Sequence, residues 1–420
     1  MLGSITKTST FILLFFVTHL YAVTQDTTDG AYSPEMVVEI DDSEQKSLKN
    51  RKKLTGDWGG LRSSLKEDGI IIKSSLTSFY QGAKTNGNSG YDYEFGSQLG
   101  LTVILNGKKL GLWDGFFIGI RGQLNMGNSV NYDGGVLLPV NTALAYPGID
   151  GSDRSDASLY IVQFLSPKDK IILGKLSTID LTNYSKYKGG SGLTGFQNVS
   201  FVSGPNGITT PSVLGAFYIS ERDKFNYTLA FYDSESSLNR MGLSDRFAKG
   251  TTFFASVDIK THFFGQSGKQ GIMGAKSTQD SFVYQEYSKE GKRYFVGYYF
   301  DQTIQTFSNK ASWGLFGQAV MTDNDATPTD YSFIFGMGGN SFIQNRSQDR
   351  WGLAYFKYSL SNYIQNATDK VSVNSEYGYE VFYDYQATPW LSFGIDLQLV
   401  KPALRHGDAT FIGLRSKIDF

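Results

Sequence analysis

The strongest constraint on the fold is an alternation of apolar and polar residues with a period of two. Successive side chains of a β-strand point to opposite faces, so this pattern predicts strands that are apolar on one side and polar on the other. The alternation dominates the chain from Gly69 onward. In one clear segment, the two faces carry Tyr377, Tyr379, Val381, Tyr383 and Tyr385 against Gly378, Glu380, Phe382, Asp384 and Gln386.

The same alternation recurs over 93–105, 115–126, 391–399 and 412–420. Segments of about ten residues are typical of a transmembrane β-barrel, although a soluble antiparallel sandwich also alternates. The barrel is favoured because the polar faces carry Glu, Asp, Arg, Gln and Gly, as a wet lumen requires. The apolar faces often end in aromatic residues, as at membrane interfaces. We therefore predict an all-β fold, a transmembrane antiparallel β-barrel over 69–420.

The composition excludes several other classes of protein. The 420 residues include 47 Gly, 31 Phe, 26 Tyr and no Cys, and 39 Lys plus Arg nearly balance 40 Asp plus Glu. The many aromatic residues exclude a disordered chain, and the lack of Cys excludes a disulfide-stapled module. A net charge of −1 gives no basic excess for binding nucleic acid. The sequence has no apolar run of about 18 residues, as a transmembrane helix requires.

The first 22 residues have the features of a secretory signal peptide. Lys7 precedes an apolar core at 11–17, and Ala22 is the expected cleavage position. The core is too short to span a membrane, and a buried helix is the alternative interpretation. Residues 23–53 are polar, acidic at first and basic later, and are expected to form a periplasmic or flexible lead.

Stretches rich in Gly, Asn, Asp and Ser separate the expected strands and predict loops. In a transmembrane barrel the longer loops face outward and the short turns face the periplasm. No repeat of fixed period is present, which argues against a solenoid or a propeller. The predicted loops are Lys84–Gly90, Asp133–Asp156, Asp233–Lys249, Asp323–Asp330 and Asn362–Ser375.

A short helical segment is predicted over 54–68, ahead of the first strand. Thr55 or Asp57 suits the cap of its first turn, and Gly69 suits its end. The apolar stripe at helical spacing is Trp58, Leu61 and Leu65. On these grounds alone the segment is an amphipathic plug or packing helix.

The string Leu-Thr-Gly-Asp-Trp-Gly-Gly-Leu-Arg at 54–62 resembles the N-terminal signature of the carbohydrate-selective, OprB-type porins. Later segments resemble the same family in the same order. They are Trp313–Gly317, the stretch with Arg346, Asp349, Gly352 and Ala354, and the closing strands from Pro389 to Phe420. The resemblance covers about Leu54 to Phe420. The lead before Leu54 is longer and more charged than the signature requires, and the closing turn at 402–407 departs from the family's P-G-G-like turn.

The resemblance implies a barrel of about 16 strands in the bacterial outer membrane that passively admits small sugars. Two alternatives stay open, a general or ion-preferring diffusion porin and a structural or adhesive surface barrel. The balanced net charge does not decide between sugars and ions, because the local field at the constriction controls selectivity. The expected partners are small sugars, outer-membrane lipid and, through the strand ending at Phe420, the barrel-assembly machinery, with no nucleic acid.

A sugar channel needs hydrogen-bonding side chains at a constriction and no catalytic group. The candidates are lumen-side charges of the alternating strands, together with charges on the N-terminal segment and the first strand. We expect Arg62, Arg121 and Arg415 to contribute donors, with Glu94 and Glu380 as partners. The alternative for each is a solvated side chain or a pair within the barrel wall. The full candidate set is Arg62, Lys73, Glu94, Arg121, Glu380, Asp384, Asp396 and Arg415.

Five other residues are interpreted as structural. Trp58 is expected to pack on the N-terminal helix. Trp113 and Trp351 are expected to anchor the barrel at the membrane interface. Arg346 and Asp349 are expected to pair at a turn.

The sequence shows no catalytic or metal-binding constellation. Of its three His residues, His19 lies in the signal peptide, which leaves His262 and His406. There is no HExxH, no zinc-type set and no Gly-rich phosphate loop. Gly-x-Ser-x-Gly does not occur between a strand and a helix. An outer-membrane lipase using His262 or His406 is the enzymatic alternative, and nothing around either residue supports it. We expect neither an enzyme nor a bound cofactor or metal.

Overall fold

Sixteen strands close into one antiparallel barrel in the computed structural model. Barrel strands pair in chain order, and the last pairs with the first. This confirms the predicted fold class. The structure describes residues 47–420 except 86–89, 132, 150–153, 182–184, 240–244, 280, 285–286, 292, 308, 324–326, 328, 362–374 and 404–406, and it describes only the backbone of 180, 181, 281–284 and 287–290.

The barrel strands vary from 9 to 16 residues. The first eight are β1 (Ile70–Thr85), β2 (Asp92–Asn106), β3 (Phe116–Gly127), β4 (Ser155–Ser166), β5 (Asp169–Ser177), β8 (Ser212–Glu221), β9 (Phe225–Asp233) and β10 (Thr251–Phe263). The other eight are β11 (Gln266–Ser277), β14 (Arg293–Thr306), β15 (Ser312–Thr322), β16 (Thr329–Asn340), β17 (Arg350–Leu360), β18 (Ser375–Thr388), β19 (Leu391–Lys401) and β20 (Ala409–Asp419).

The remaining elements are short. Two hairpins lie outside the barrel wall, β6 (Gly189–Gly190) with β7 (Thr194–Gly195) and β12 (Ser281–Tyr284) with β13 (Tyr287–Glu290). The helices are a 3-10 turn at Trp58–Gly60, α1 (Leu61–Glu67), α2 (Thr142–Ala145), α3 (Thr178–Leu181) and α4 (Val199–Val202). None of the helices in the described residues is long and apolar enough to cross a membrane.

The alternation in the sequence becomes the outer and inner faces of the barrel wall. On β19, Ile395 is 59% exposed on the outer face, whereas its neighbour Asp396 is 3% exposed on the inner face. On β20, Leu414 and Arg415 differ in the same way, at 56% and 4%. The outer face is therefore an apolar band, and the inner face holds the polar side chains, as the period-two pattern predicts.

The connections differ in length between the two ends of the barrel. At one end, tight turns at 167–168, 222–224 and 264–265 join neighbouring strands. At the other end lie longer connections, including 128–154 and 178–211. This asymmetry is typical of transmembrane barrels.

The predicted loops all fall at the long-loop end, but strands extend into them. Lys84 and Thr85 still belong to β1, and Asp156 already belongs to β4. The predicted signal peptide at 1–22, the predicted lead up to residue 46, and His406 lie outside the described residues. So do parts of the predicted loops, at 86–89, 150–153, 240–244, 324–326, 328 and 362–374.

The N-terminal segment is tied to the short-turn end of the barrel. The backbone N–H of Leu54 donates to the carbonyl of Asp419 at 2.8 Å. Asp57 accepts from the backbone N–H of Ser63 at 2.9 Å within the first turn of α1, whose N-cap position is Gly60. Leu61 is 55% exposed, so the apolar stripe points partly outward, and the buried residue of α1 is Arg62.

Candidate functional site

Two long connections fold back into the lumen, although long loops were expected to face outward. We call 128–154 loop A and 178–211 loop B. They are in contact, since the backbone N–H of Thr142 donates to the carbonyl of Gln197 at 2.9 Å. Both loops are also bonded to inward side chains of the wall. For example, Gln81 of β1 accepts from Asn141 at 2.6 Å and donates to Gln197 at 2.9 Å. The wall therefore supplies the polar partners that the backbone of a buried loop requires.

An aromatic anchor fixes loop B to the wall. The ring of Phe196 contacts Phe382 of β18 at 4.8 Å between centroids and Phe316 of β15 at 5.6 Å, both edge-on. Phe201 of α4 lies 4.9 Å from Phe196. Gly352 of β17 leaves room for this ring, because an added Cβ would lie 2.7 Å from it. Such aromatic pairs stabilise a contact by more than the burial of their surface alone.

Three carboxylates on the inner face of β18 receive the backbone of the loops. Glu376, Glu380 and Asp384 are four residues apart, so they share one face at intervals of roughly 14 Å. We call them the carboxylate row. All three are buried, at 1%, 0% and 8% exposure. A carboxylate placed opposite backbone N–H groups forms charge-assisted hydrogen bonds, which are stronger than neutral ones.

Within the carboxylate row, Glu376 binds loop A and Glu380 binds loop B. Glu376 accepts from the backbone of Leu137 at 2.7 Å in loop A, from Ala403 at 3.0 Å, and from the Tyr358 hydroxyl. Glu380 accepts from the backbone N–H groups of loop B residues at 2.5 Å and 3.0 Å. These donors are Gln197 and Asn198.

The third member acts together with Arg415 of β20. Asp384 accepts from the backbone N–H of Gly195 at 2.8 Å, and Arg415 donates to the carbonyl of the same residue at 2.9 Å. Arg415 also donates to the carbonyl of Gly192 at 3.1 Å and to Asp384 at 2.5 Å. The pair thereby clamps the β6–β7 hairpin of loop B against the wall.

A second set of contacts holds loop B to β14. Ser185 donates to Asp301 at 2.9 Å, and Tyr187 donates to Thr303 at 2.5 Å. Lys188 follows in the loop and is 3% exposed. Burial lowers the pKa of Lys188 to about 7, against the attraction of Asp301.

The match to one family model shows the family of the chain. The model described as carbohydrate-selective porin, OprB family, matches residues 74–420. The chain belongs to this family. It is an outer-membrane porin of the carbohydrate-selective type, which confirms the resemblance, the function and the location predicted from the sequence.

Solved porins share the fold of this OprB-family chain. It is similar to the high-pH structure of Pseudomonas putida OprB, with a TM-score of 0.74, 16% identity, and 89% of this chain and 100% of that chain covered. The low-pH structure of the same protein gives a TM-score of 0.54 at 16% identity, with 89% and 99% covered. No curated protein matches the chain. By the usual topology of such barrels, the long-loop end of the porin is extracellular and the short-turn end periplasmic.

Four of the predicted pore residues gather at one place in this porin. Glu380, Asp384, Asp396 and Arg415 are all buried around loop B. Asp396 of β19 lies on the same inner face as Glu380 of β18, which is opposite Gln398. Asp396 also accepts from Gln398 at 2.9 Å. Glu380, Asp384 and Arg415 bind the backbone of loop B, and Asp384 also pairs with Arg415.

The other four predicted pore residues are spread along the porin. Lys73 of β1 lies near the periplasmic end opposite Thr102, and Glu94 of β2 lies near the extracellular end opposite Gln81. Both keep part of their surface exposed. Arg62 of α1 is 8% exposed, and its guanidinium lies 4.3 Å from the ring centre of Trp58.

Arg121 lies on the inner face of β3, away from the carboxylate row. Its electrostatic neighbours are Asp156 and Tyr160 of β4. Asp156 accepts from Lys175 of β5 at 2.6 Å. Gly119 gives the Tyr160 ring its room, because an added Cβ would lie 2.3 Å from that ring. Arg121 is thus part of a charged strip along β3, β4 and β5.

Sequence reasoning missed Glu376, Asp301 and loop B. Glu376 continues the lumen-facing alternation of β18 by one step, so extending the period would have found it. Loop B contains the Gly, Ser and Asn residues of a loop, and that signal was available at 189–206. Nothing in the local sequence indicates that Asp301 meets Ser185, because they lie on distant parts of the chain.

The residues interpreted as structural have structural contacts. Arg346 pairs with Asp349 at the turn before β17 and lies 3.9 Å from the ring of Tyr385. The indole of Trp351 donates to the carbonyl of Asn340 at 3.1 Å. Trp113 is 58% exposed near the periplasmic end of the barrel.

Proposed function

We propose that sugars cross this porin past loops A and B, and that the predicted pore charges divide into two groups. Glu380, Asp384, Asp396 and Arg415 position loop B. Lys73, Glu94 and Arg121 face the solute. The observation that carries the proposal is that Glu380, Asp384 and Arg415 are buried and hydrogen-bonded to the backbone of loop B, so that their polar groups serve the loop rather than a passing sugar. Asp396 is buried beside them and accepts from Gln398.

The solute-facing group fits the needs of neutral, hydroxyl-rich solutes. Arg121 presents a planar fork of donors, and Glu94 presents acceptors. Each contact is of the kind that binds a hydroxyl without holding it for long, as passage requires. Arg62 stands at the periplasmic end, where we propose that it lines the exit.

Liposome swelling tests the sugar preference directly. Purified protein is reconstituted, and swelling rates are compared for glucose, maltose, an amino acid and a sulfonate of similar size. Faster uptake of the sugars supports carbohydrate selectivity. Uptake ordered by size alone favours a general porin, and no uptake favours a structural or adhesive barrel.

We also propose that the porin catalyses no reaction and uses no cofactor. The fold and family are those of a channel. His262 lies exposed on β10 near the periplasmic turn, and His406 lies outside the described residues. Lipase activity in the purified protein that disappears in His262→Ala or His406→Ala would contradict this.

Assembly through the closing strand is the remaining proposal on partners. Phe420 follows β20, and its backbone N–H donates to the carbonyl of Ser74 at 3.0 Å. We propose that the assembly machinery recognises β20 before this seam forms. Unchanged membrane insertion of Phe420→Ala in cells would speak against the proposal.

A further inference from the structure

Three lysines on nearby strands lie on the lipid-facing side of the wall at its extracellular end. Lys84 of β1, Lys357 of β17 and Lys401 of β19 all lie close to the long-loop ends of their strands. The inward-facing residues next to them along the strands are buried, so the three side chains themselves point outward. An outward charge in a barrel wall is tolerated close to the interface and is costly deeper in the membrane.

The strand register brings these lysines together. Lys357 lies opposite Tyr377 of β18, and Tyr377 lies opposite Lys401. The two lysines are therefore two strands apart, or roughly 10 Å. Lys84 lies opposite Thr410 of β20, two strands beyond Lys401 and in the neighbouring row. We call the three residues the lysine patch.

Tyrosines surround the lysine patch and fix its depth. The ammonium group of Lys84 lies 5.9 Å from the ring centre of Tyr91, and that of Lys357 lies 5.9 Å from Tyr331. Tyrosine belts sit at the level of lipid headgroups. Two further tyrosine contacts at 5.0 Å lie next to the patch, Tyr80 with Tyr93 and Tyr355 with Tyr379.

The lysine patch keeps a net positive charge when its acidic neighbour Asp408 is counted. Lys401 pairs with Asp408 at 3.2 Å, but the Asp408 side chain is 74% exposed, and such surface pairs are weak. The apolar wall continues below the lysines towards the membrane centre. Its exposed residues there are Leu353, Val381, Leu397 and Ile412.

We propose that the lysine patch binds the phosphate groups of lipid A in the outer leaflet. Lipid A carries phosphates at the two ends of a disaccharide and several acyl chains. Lysines at headgroup level would pair with the phosphates, and the apolar wall would cover the chains. This inference is independent of which solute passes through the lumen.

Native mass spectrometry of the detergent-solubilised porin with bisphosphorylated lipid A tests the proposal. The test variant is Lys84→Gln/Lys357→Gln/Lys401→Gln. The matched control is Lys276→Gln, because Lys276 is exposed on the outer face at a similar level of β11, opposite Phe253 and Tyr294, far around the barrel from the patch. We expect at least about tenfold weaker retention by the triple variant and unchanged retention by the control.

Three further readouts keep the proposal falsifiable. A triple Lys→Arg variant should retain lipid A, which separates loss of charge from a folding defect. Retention by the native porin should fall with added salt. Equal retention by native and triple-Gln porin, or equal retention of phosphatidylglycerol and lipid A by the native porin, would overturn the assignment.

Discussion

Asp384 and Arg415 hold both backbone polar groups of a single residue, Gly195. The carboxylate accepts the N–H at 2.8 Å, and the guanidinium donates to the carbonyl at 2.9 Å. Gly195 has a φ of 73°, and an added Cβ would lie 2.2 Å from the Lys188 carbonyl, so no larger residue fits. A wall that holds a loop at one glycine makes the position of that loop testable by single substitutions.

Arg415→Met should release the β6–β7 hairpin into the lumen. Breaking a buried ion pair costs about 3–5 kcal/mol, because the remaining charge loses its partner. We expect altered single-channel conductance, with more frequent sublevels, in planar bilayers. The double variant Arg415→Met/Asp384→Asn should differ little in conductance from Arg415→Met alone, because both residues act on the same contact with Gly195. Additive effects of the two substitutions would contradict the clamp.

Gly394→Ala should have the same effect through steric displacement alone. Gly394 of β19 lies beside the clamp, and an added Cβ would lie 2.3 Å from the Asp384 carboxylate. Gly122→Ala is the matched control, because no atom lies within 4 Å of its added Cβ. Conductance recordings should separate the two variants. Indistinguishable traces for both would remove the steric argument.

Glu376→Gln should loosen loop A without moving loop B. The amide keeps one acceptor oxygen, but it loses the other as an acceptor for the backbone N–H groups of Leu137, Leu138 and Ala403 and the Tyr358 hydroxyl, at a cost of about 1–3 kcal/mol. Hydrogen exchange of a peptide covering 133–145 should accelerate. Glu94→Gln on β2 serves as the control lumen carboxylate. Unchanged exchange at 137–138 would show that Glu376 does not hold the loop.

Loop B should be docked more firmly at pH 9 than at pH 6. Burial lowers the pKa of Lys188 from 10.5 to about 7, so between those values the unfolded or undocked state binds more protons than the docked state. Stability of the docked loop therefore rises with pH across this window and is flat below it. Protection factors from hydrogen exchange of 185–200, each referred to the intrinsic exchange rate at its own pH, measure this. The difference should vanish in Lys188→Met, and its persistence there would assign it to another group.

Arg121→Ala should affect sugars without releasing the loops. Arg121 is on the β3–β5 strip rather than in the clamp, so hydrogen exchange of loop B should stay as in the native porin. We expect slower swelling with glucose and maltose relative to the amino acid. Unchanged conductance together with unchanged sugar flux would remove Arg121 from the solute path.

The sequence predicts the wall of this porin well because the wall is built from a local pattern. Whether Glu380 faces inward depends only on its neighbours in β18, and the alternation decides it. The partners of Glu380 are a different matter. Its hydrogen bond to the backbone of Gln197 joins residues 183 positions apart, and no periodicity links them.

The candidate site was therefore predicted as a set of charges but without their contacts. Arg415 and Asp384 were both expected on the lumen side, yet the residue that they share, Gly195, lies in a loop that local signals leave unplaced. Such contacts arise from closure of the barrel around the loops.

The pairing of β1 with β20 has a consequence for how such a barrel can form. Every other seam in the wall joins strands that follow one another in the chain, whereas this one sets Tyr80 opposite Leu414. Until it closes, the sheet has two free edges, whose N–H and C=O groups no lipid can satisfy. A barrel in which this seam is still open is therefore poorly suited to a bilayer. The pairing of β1 with β20 is the step at which the chain becomes compatible with a bilayer.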